Sequence, residues 1–166
     1  MTHADPTQVY RRILVDVVGA GDANLADELF ADDYVAQRTG LHTMLGLFGP
    51  PGGPPGGVSG KRVFIGGLAR IRASFPDWSV ELHDTVADGD RVAGTFTVTA
   101  TFDGDAPFMG FAPTGLAFTF AEAGVLTIRD GRAVRGWFVG DELAVAQAVM
   151  GEAFAAGPPR AAAPGA

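Results

Sequence analysis

Apolar residues recur along this chain first at helical spacing and then at every second position, with the change of period at Phe75-Pro76-Asp77. Before it, Val9, Ile13, Leu14 and Val17 form one stripe of a helix predicted over residues 6–19. Asp5 supplies its N-cap and Pro6 its first residue, and Gly19 and Gly21 stop it. Asp22 caps a second, short helix, ANLADELF, which ends before Asp32-Asp33-Tyr34. Ser59 caps a third over roughly 61–74, with Phe64, Leu68 and Ile71 as its inner stripe. After the switch, Trp78, Val80 and Leu82 alternate with Ser79, Glu81 and His83, which places His83 on the outer face. Asp88-Gly89-Asp90 turns the chain into a strand where Phe96, Val98, Ala100 and Phe102 alternate with four threonines. LAFTFAEAGVLTI is the next strand, Asp130-Gly131 turns it back, and AVRGWFV follows with Val134, Gly136 and Phe138 on one face. Asp141 caps a last helix ending near Met150.

Three helices, a run of antiparallel strands and a final helix define an α+β fold, with helices packed on one face of a curved antiparallel sheet. The expected division is a single domain over 1–151, with residues 152–166 a disordered tail by composition. Residues 49–60, GPPGGPPGGVSG, fit no regular element, because proline removes donors and glycine adds freedom. That segment is either a surface loop or a lid over a pocket, and Leu45, Leu47 and Phe48 beside it favour burial somewhere.

Composition narrows the function. The 166 residues are 47% hydrophobic and 19% charged, a globular balance. Twelve basic residues against 19 acidic give a formal charge of −7, and no basic cluster exceeds the pairs Arg11-Arg12 and Lys61-Arg62. Nucleic acid, which needs clustered Lys and Arg against phosphates, is therefore not an expected partner. There is no cysteine, so no disulfide, thiolate metal site or cysteine nucleophile. Three scattered histidines without metal-ligand spacing give no metal site. MTHADPTQVYRR lacks the apolar core of a signal peptide and no apolar run reaches the ~20 residues of a membrane span, so a cytoplasmic protein without membrane partners is expected.

Glu122 carries the sharpest chemical signal. It shares the inward face of its strand with Phe118, Phe120, Gly124, Leu126 and Ile128. A carboxyl on an apolar face has a raised pKa, as a general acid or base working near neutrality requires. Asp141 is the other acid near that region, as a site residue or simply a helix cap. Phe96, Phe102, Phe108, Met109, Phe111, Phe118, Phe120 and Phe138 are more numerous than a small core needs. They either pack together or line one enclosed cavity, with loops 49–60 and 103–114 at its mouth.

FPDWSVELHDTVADGDRVAGTFTVTATF, then MGFAPTG, then IRDGRAVRGWF together resemble the SnoaL-like polyketide cyclase family of the nuclear transport factor 2-like superfamily, over about residues 6–151. The resemblance implies a cone-shaped α+β barrel enclosing one pocket, commonly a homodimer, and ring closure of a polyketide without metal or cofactor. It also implies that polar groups after the second helix line the pocket, here Tyr34, Gln37 and His42. The family's acid–base pair is an aspartate directly after the Trp of the last strand and a histidine on the preceding strand. Those positions hold Phe138 and Gly124 here, so the usual proton shuttle is missing. The leading expectation is therefore a cofactor-independent cyclase that folds an apolar intermediate into a reactive shape, conceivably for a cycloaddition. The alternatives are an acid–base isomerase, dehydratase or epoxide-opening cyclase using Glu122 or Asp141, and a non-catalytic small-molecule-binding protein.

Overall fold

The computed structural model describes residues 5–39 and 57–156. Helix α1 (Pro6–Arg12) starts where the Asp5 carboxylate accepts from the Thr7 N–H at 3.0 Å. It runs on as a wider π-helical segment, Ile13–Gly19, whose exit includes a bond from the Ala20 N–H to the Val15 carbonyl at 2.8 Å. Val9, Ile13, Leu14 and Val17 are buried as their spacing requires, and so is Tyr10. Asp22 caps α2 (Ala23–Leu29) through the Leu25 N–H at 3.0 Å.

The chain then departs from the sequence expectation. Phe30 is not the end of a helix but the start of a strand, β1 (Phe30–Thr39), and β2 (Gly57–Ser59) pairs antiparallel with it. Charged and polar residues at 32, 33, 37 and 38 hide the period of β1. The N-cap of α3 (Lys61–Ser74) is Gly60, because Ser59 belongs to β2. Strands β3 (Ser79–Asp88), β4 (Arg91–Thr101), β5 (Ala117–Arg129) and β6 (Arg132–Gly140) form the expected antiparallel meander. Among the described residues the sheet has the six-stranded order β2-β1-β6-β5-β4-β3, with β1 parallel to β6 and the other pairs antiparallel. Register irregularities in three of its pairings bend it. One of them moves Val134 out of line: Thr127 pairs with Arg135 and Ile128 with Ala133, so Ala133, not Val134, joins Gly136 and Phe138 on the buried face. Asp130 and Gly131 both have positive φ, 50° and 75°, the backbone a two-residue hairpin between Arg129 and Arg132 needs.

Helix α4 (Glu142–Met150) closes the sheet from one end, and residues 152–156, expected in the tail, form a short helix α5 (Glu152–Ala156) with Phe154 packed on the core. The remaining tail, most of the 49–60 segment and His42 lie outside the described residues. Among the described residues no helix is long and apolar enough to cross a membrane.

The buried face of the sheet is organised by glycines. Gly94 on β4 pairs with Gly124 on β5, and Gly124 with Phe138 on β6. Tyr10 seats its ring beside Gly94 and donates its hydroxyl to the Gly124 carbonyl at 3.0 Å. A Cβ at Gly124 would come within 2.4 Å of the Phe138 ring. Gly124→Ala should therefore cost about 1–3 kcal/mol through overpacking. Combined with Phe138→Ala, its cost should fall by at least about 1 kcal/mol, a coupling that a double-mutant cycle in urea measures.

Candidate functional site

Glu122 occupies the face its pattern predicts, 6% exposed, with Phe96 across from it on β4 and Gly140 on β6. Its carboxylate is not free. The Arg38 guanidinium, reaching in from β1, bonds Oε1 and Oε2 of Glu122 through its two Nη atoms, both at 2.7 Å. Arg38 Nε donates to Glu142 Oε1 at 3.1 Å. The planar fork thus lies between two carboxylates from β5 and the first turn of α4, a geometry that only arginine offers.

The residues around this cluster set its electrostatics. Burial pushes the Glu122 carboxyl above its ordinary pKa, and the Arg38 charge and hydrogen bonds pull against that. Burial disfavours the Arg38 charge too, but Glu122 and Glu142 outweigh it and hold its pKa above the usual value. The Tyr10 hydroxyl is raised by burial and further by the nearby Glu122 charge.

Asp141 does not join them. It sits at the N-cap position of α4, exposed, without a side-chain capping bond, while its N–H donates to the Ala121 carbonyl at 3.0 Å. Its neighbour Glu142 turns inward instead, one position beyond the expected acid. Tyr34 is fully buried against Phe30 and Phe64, its hydroxyl in the space left by Gly136. That hydroxyl has no hydrogen-bond partner among the described residues, and burial raises its pKa. Gln37 is exposed and paired in register with the half-exposed Trp137, so it faces away from Tyr34 and Arg38 and corrects the expectation of a pocket residue.

Phe96, Phe118, Phe120 and Phe138 are all buried, with Phe96 edge-on to Phe138 at 6.5 Å and Phe118 stacked with Phe120 at 6.0 Å. Met109 is half-buried at the turn that pairs Phe108 with Phe111, and Phe108 packs against Phe75. Among the described residues a cavity of about 70 Å³ lies among Val17, Ala26, Leu68 and Arg72. Another, about 400 Å³, lies beside Asp32, Lys61 and Arg62.

Sequence reasoning missed Arg38 and Glu142. Arg38 lies in a stretch whose own sequence shows no clear alternation, and Glu142 directly follows Asp141, the acid at the helix N-cap. Once β1 is known to be a strand, Tyr34, Ala36 and Arg38 fall on one face, which was the available signal.

The SnoaL-like domain model matches residues 11–136, and the chain belongs to that family. No curated protein sequence matches it. Among solved structures it is similar to IdmH of Streptomyces antibioticus, a candidate polyketide cyclase: 28% identity, 87% of this chain, 98% of that one, TM-score 0.69. A candidate SnoaL-like polyketide cyclase from Jannaschia sp. CCS1 is 21% identical, with 93% of each chain covered and a TM-score of 0.70. An LEH-like epoxide hydrolase of M. tuberculosis is 18% identical, covering 91% of this chain and 93% of that one, TM-score 0.62. These last two share the fold. The architecture is accordingly the SnoaL-like, nuclear transport factor 2-like α+β fold.

Arg38→Gln leaves Glu122 buried without its cation, and the cost at pH 7 should be about 3–5 kcal/mol. A carboxyl with a raised folded-state pKa favours folding below its unfolded value, about 4.3, and loses that contribution as pH rises through the folded value. Removing Arg38 widens this shift, so the destabilisation should shrink toward pH 4.5, by up to about 1.4 kcal/mol per unit. Urea unfolding of both proteins at pH 4.5 and 7.5 checks this; equal losses at the two pH values would show that Arg38 does not act by holding the Glu122 charge.

Proposed function

We propose that this protein is a cofactor-independent cyclase of polyketide-type natural-product biosynthesis, closing a ring in a largely apolar intermediate by holding it in a reactive conformation. The observation that carries the reading is the seating of Phe138 over Gly124. The two positions from which the family resemblance would run acid–base catalysis hold a ring and the gap it fills. The likeness to IdmH, at 28% identity over nearly the whole of that chain, supports the reaction class. The ligand would lie on the buried side of the sheet, beside Phe96, Phe138 and Arg38. Holding reactive atoms in near-attack geometry can supply about 7–11 kcal/mol, so a ring closure moving no proton needs no shuttle.

The rival reading uses Glu122 as acid or base, and its raised pKa is the observation in its favour. Against it, both carboxylate oxygens are bonded to Arg38 and the side chain is only 3% exposed. Asp141 is a weaker rival, because it is exposed and outside the cluster. A non-catalytic binder would retain apolar compounds without converting them, which mass analysis before and after incubation separates from turnover.

A homodimer through the outer sheet face belongs to the same proposal. Trp137 stands 41% exposed there, paired with Val125. Trp137→Glu should shift the mass in light scattering from two chains to one; an unchanged mass would place the interface elsewhere or remove it.

For catalysis, folded Phe138→Ala should lose ~10²-fold or more in turnover of a linear polyketide intermediate, because the substrate regains unproductive shapes. Glu122→Gln should stay within about tenfold, against the ~10²–10⁴-fold loss of a missing general catalyst. Normal turnover in Phe138→Ala with a dead Glu122→Gln would make this an acid–base enzyme with a relocated carboxylate.

A further inference from the structure

The three side chains of the ion cluster are unequally presented. Glu122 and Glu142 are 3% and 9% exposed, whereas Arg38 keeps 29% of its side chain exposed. A ligand approaching the cluster therefore meets the guanidinium, with the carboxylates behind it. A guanidinium carries five N–H donors, and three are spent: one on each Nη toward Glu122 and the one on Nε toward Glu142. Two N–H groups remain, one on each Nη.

We propose that Arg38 docks a neutral acceptor oxygen of the ligand, a ketone or ester carbonyl, and that Glu122 and Glu142 are positioning residues that fix the plane of the fork. This rests on the reading of the buried sheet face as a chamber for an apolar polyketide-type ligand. The bidentate pair removes the rotational freedom that a long arginine side chain ordinarily has, so the two remaining donors point in set directions before anything binds. Glu122 and Glu142 together already outweigh the guanidinium charge, which makes the site a poor host for a further carboxylate and a better one for a neutral carbonyl. Phe138 stands next to Arg38 in register and Phe96 across from Glu122, and a hydrogen bond to a carbonyl strengthens in apolar surroundings.

The chemistry balances without any further group. In a cycloaddition of a diene with an alkene, two σ bonds form and the number of π bonds falls by two, all within one molecule. A carbonyl conjugated to the alkene loses electron density to the Arg38 hydrogen bond, and the alkene becomes the better acceptor of the diene's electrons. No proton leaves or arrives, so Arg38, which stays protonated at any working pH, does its part without titrating.

The test uses two probes of one shape on the full chain: 2-acetylnaphthalene, and 2-isopropenylnaphthalene, in which a CH₂ replaces the carbonyl oxygen. The wild type should bind the ketone about 10- to 100-fold more tightly, the worth of one hydrogen bond to a charged group. The combined change Arg38→Met with Glu122→Gln and Glu142→Gln removes the whole cluster without stranding a buried charge, and should bring the ratio close to one. The ¹³C resonance of the labelled ketone carbonyl should move downfield on binding to the wild type, a reading that needs no variant to fold. Equal affinity for the two probes, or an unshifted carbonyl, overturns the role of Arg38 and leaves the apolar chamber standing. Failure of the wild type to bind either probe overturns the chamber, and the Arg38 proposal with it.

Discussion

Space left by glycine is the constraint on which the interior depends. Gly94 and Gly124 leave β4 and β5 without side chains where Tyr10 of α1 comes down, and a Cβ at Gly94 would lie 2.9 Å from the Tyr10 ring. Gly124 and Gly136 leave room on either side of Phe138, whose ring approaches both, and the Tyr34 hydroxyl uses the space above Gly136. One set of absences thus sets the depth of α1 on the sheet, the position of the Phe138 ring and the seat of a tyrosine from β1. Close-packed interiors resist added atoms as strongly as lost ones, so this arrangement fixes the rings without any polar contact to Phe138.

The same face carries a charge cluster, and the two features explain each other. An ion pair in apolar surroundings costs desolvation that its own attraction only partly repays. The cost is met here by geometry: a bidentate Arg38–Glu122 contact plus a third bond to Glu142. The cluster also ties together β1, β5 and the start of α4, elements brought to one end of the sheet by the parallel β1–β6 pairing. Replacing the whole cluster by apolar side chains could leave the fold equally stable, so stability alone does not account for it.

Much of this was legible in the residues. The period change at Phe75, the inward set on β5 that includes Glu122, and the Asp130-Gly131 turn each follow from a local rule that tertiary structure had no reason to override. What escaped were features set by partners far along the chain. Strand β1 carries Asp32, Asp33, Gln37 and Arg38, and it is a strand because β6 and β2 pair with it, not because its own alternation demands it. The extra residue at Val134 shifts one position by a bulge that no composition announces. Glu142 rather than Asp141 points inward because α4 begins there and its first turn faces the sheet. A sequence shows which acids stand near a site; it does not show which way a helix start turns them.

Shape and electrostatics are usually offered as rival accounts of catalysis, and under the proposed function they need not be. A chamber of phenylalanines alone would bind a flexible apolar chain in many registers, since dispersion contacts are individually weak and nearly interchangeable. A fixed polar group selects among those registers, because only a ligand that satisfies it avoids leaving a polar atom unpaired out of water. An ionisable acid or base would serve poorly as that group, since its hydrogen-bonding character changes with each proton gained or lost. A guanidinium clamped by two carboxylates keeps the same charge and the same direction throughout. Under the proposed function the rings would set the fold of the ligand while the arginine would set its register, and neither would depend on a proton shuttle at Gly124 and Phe138.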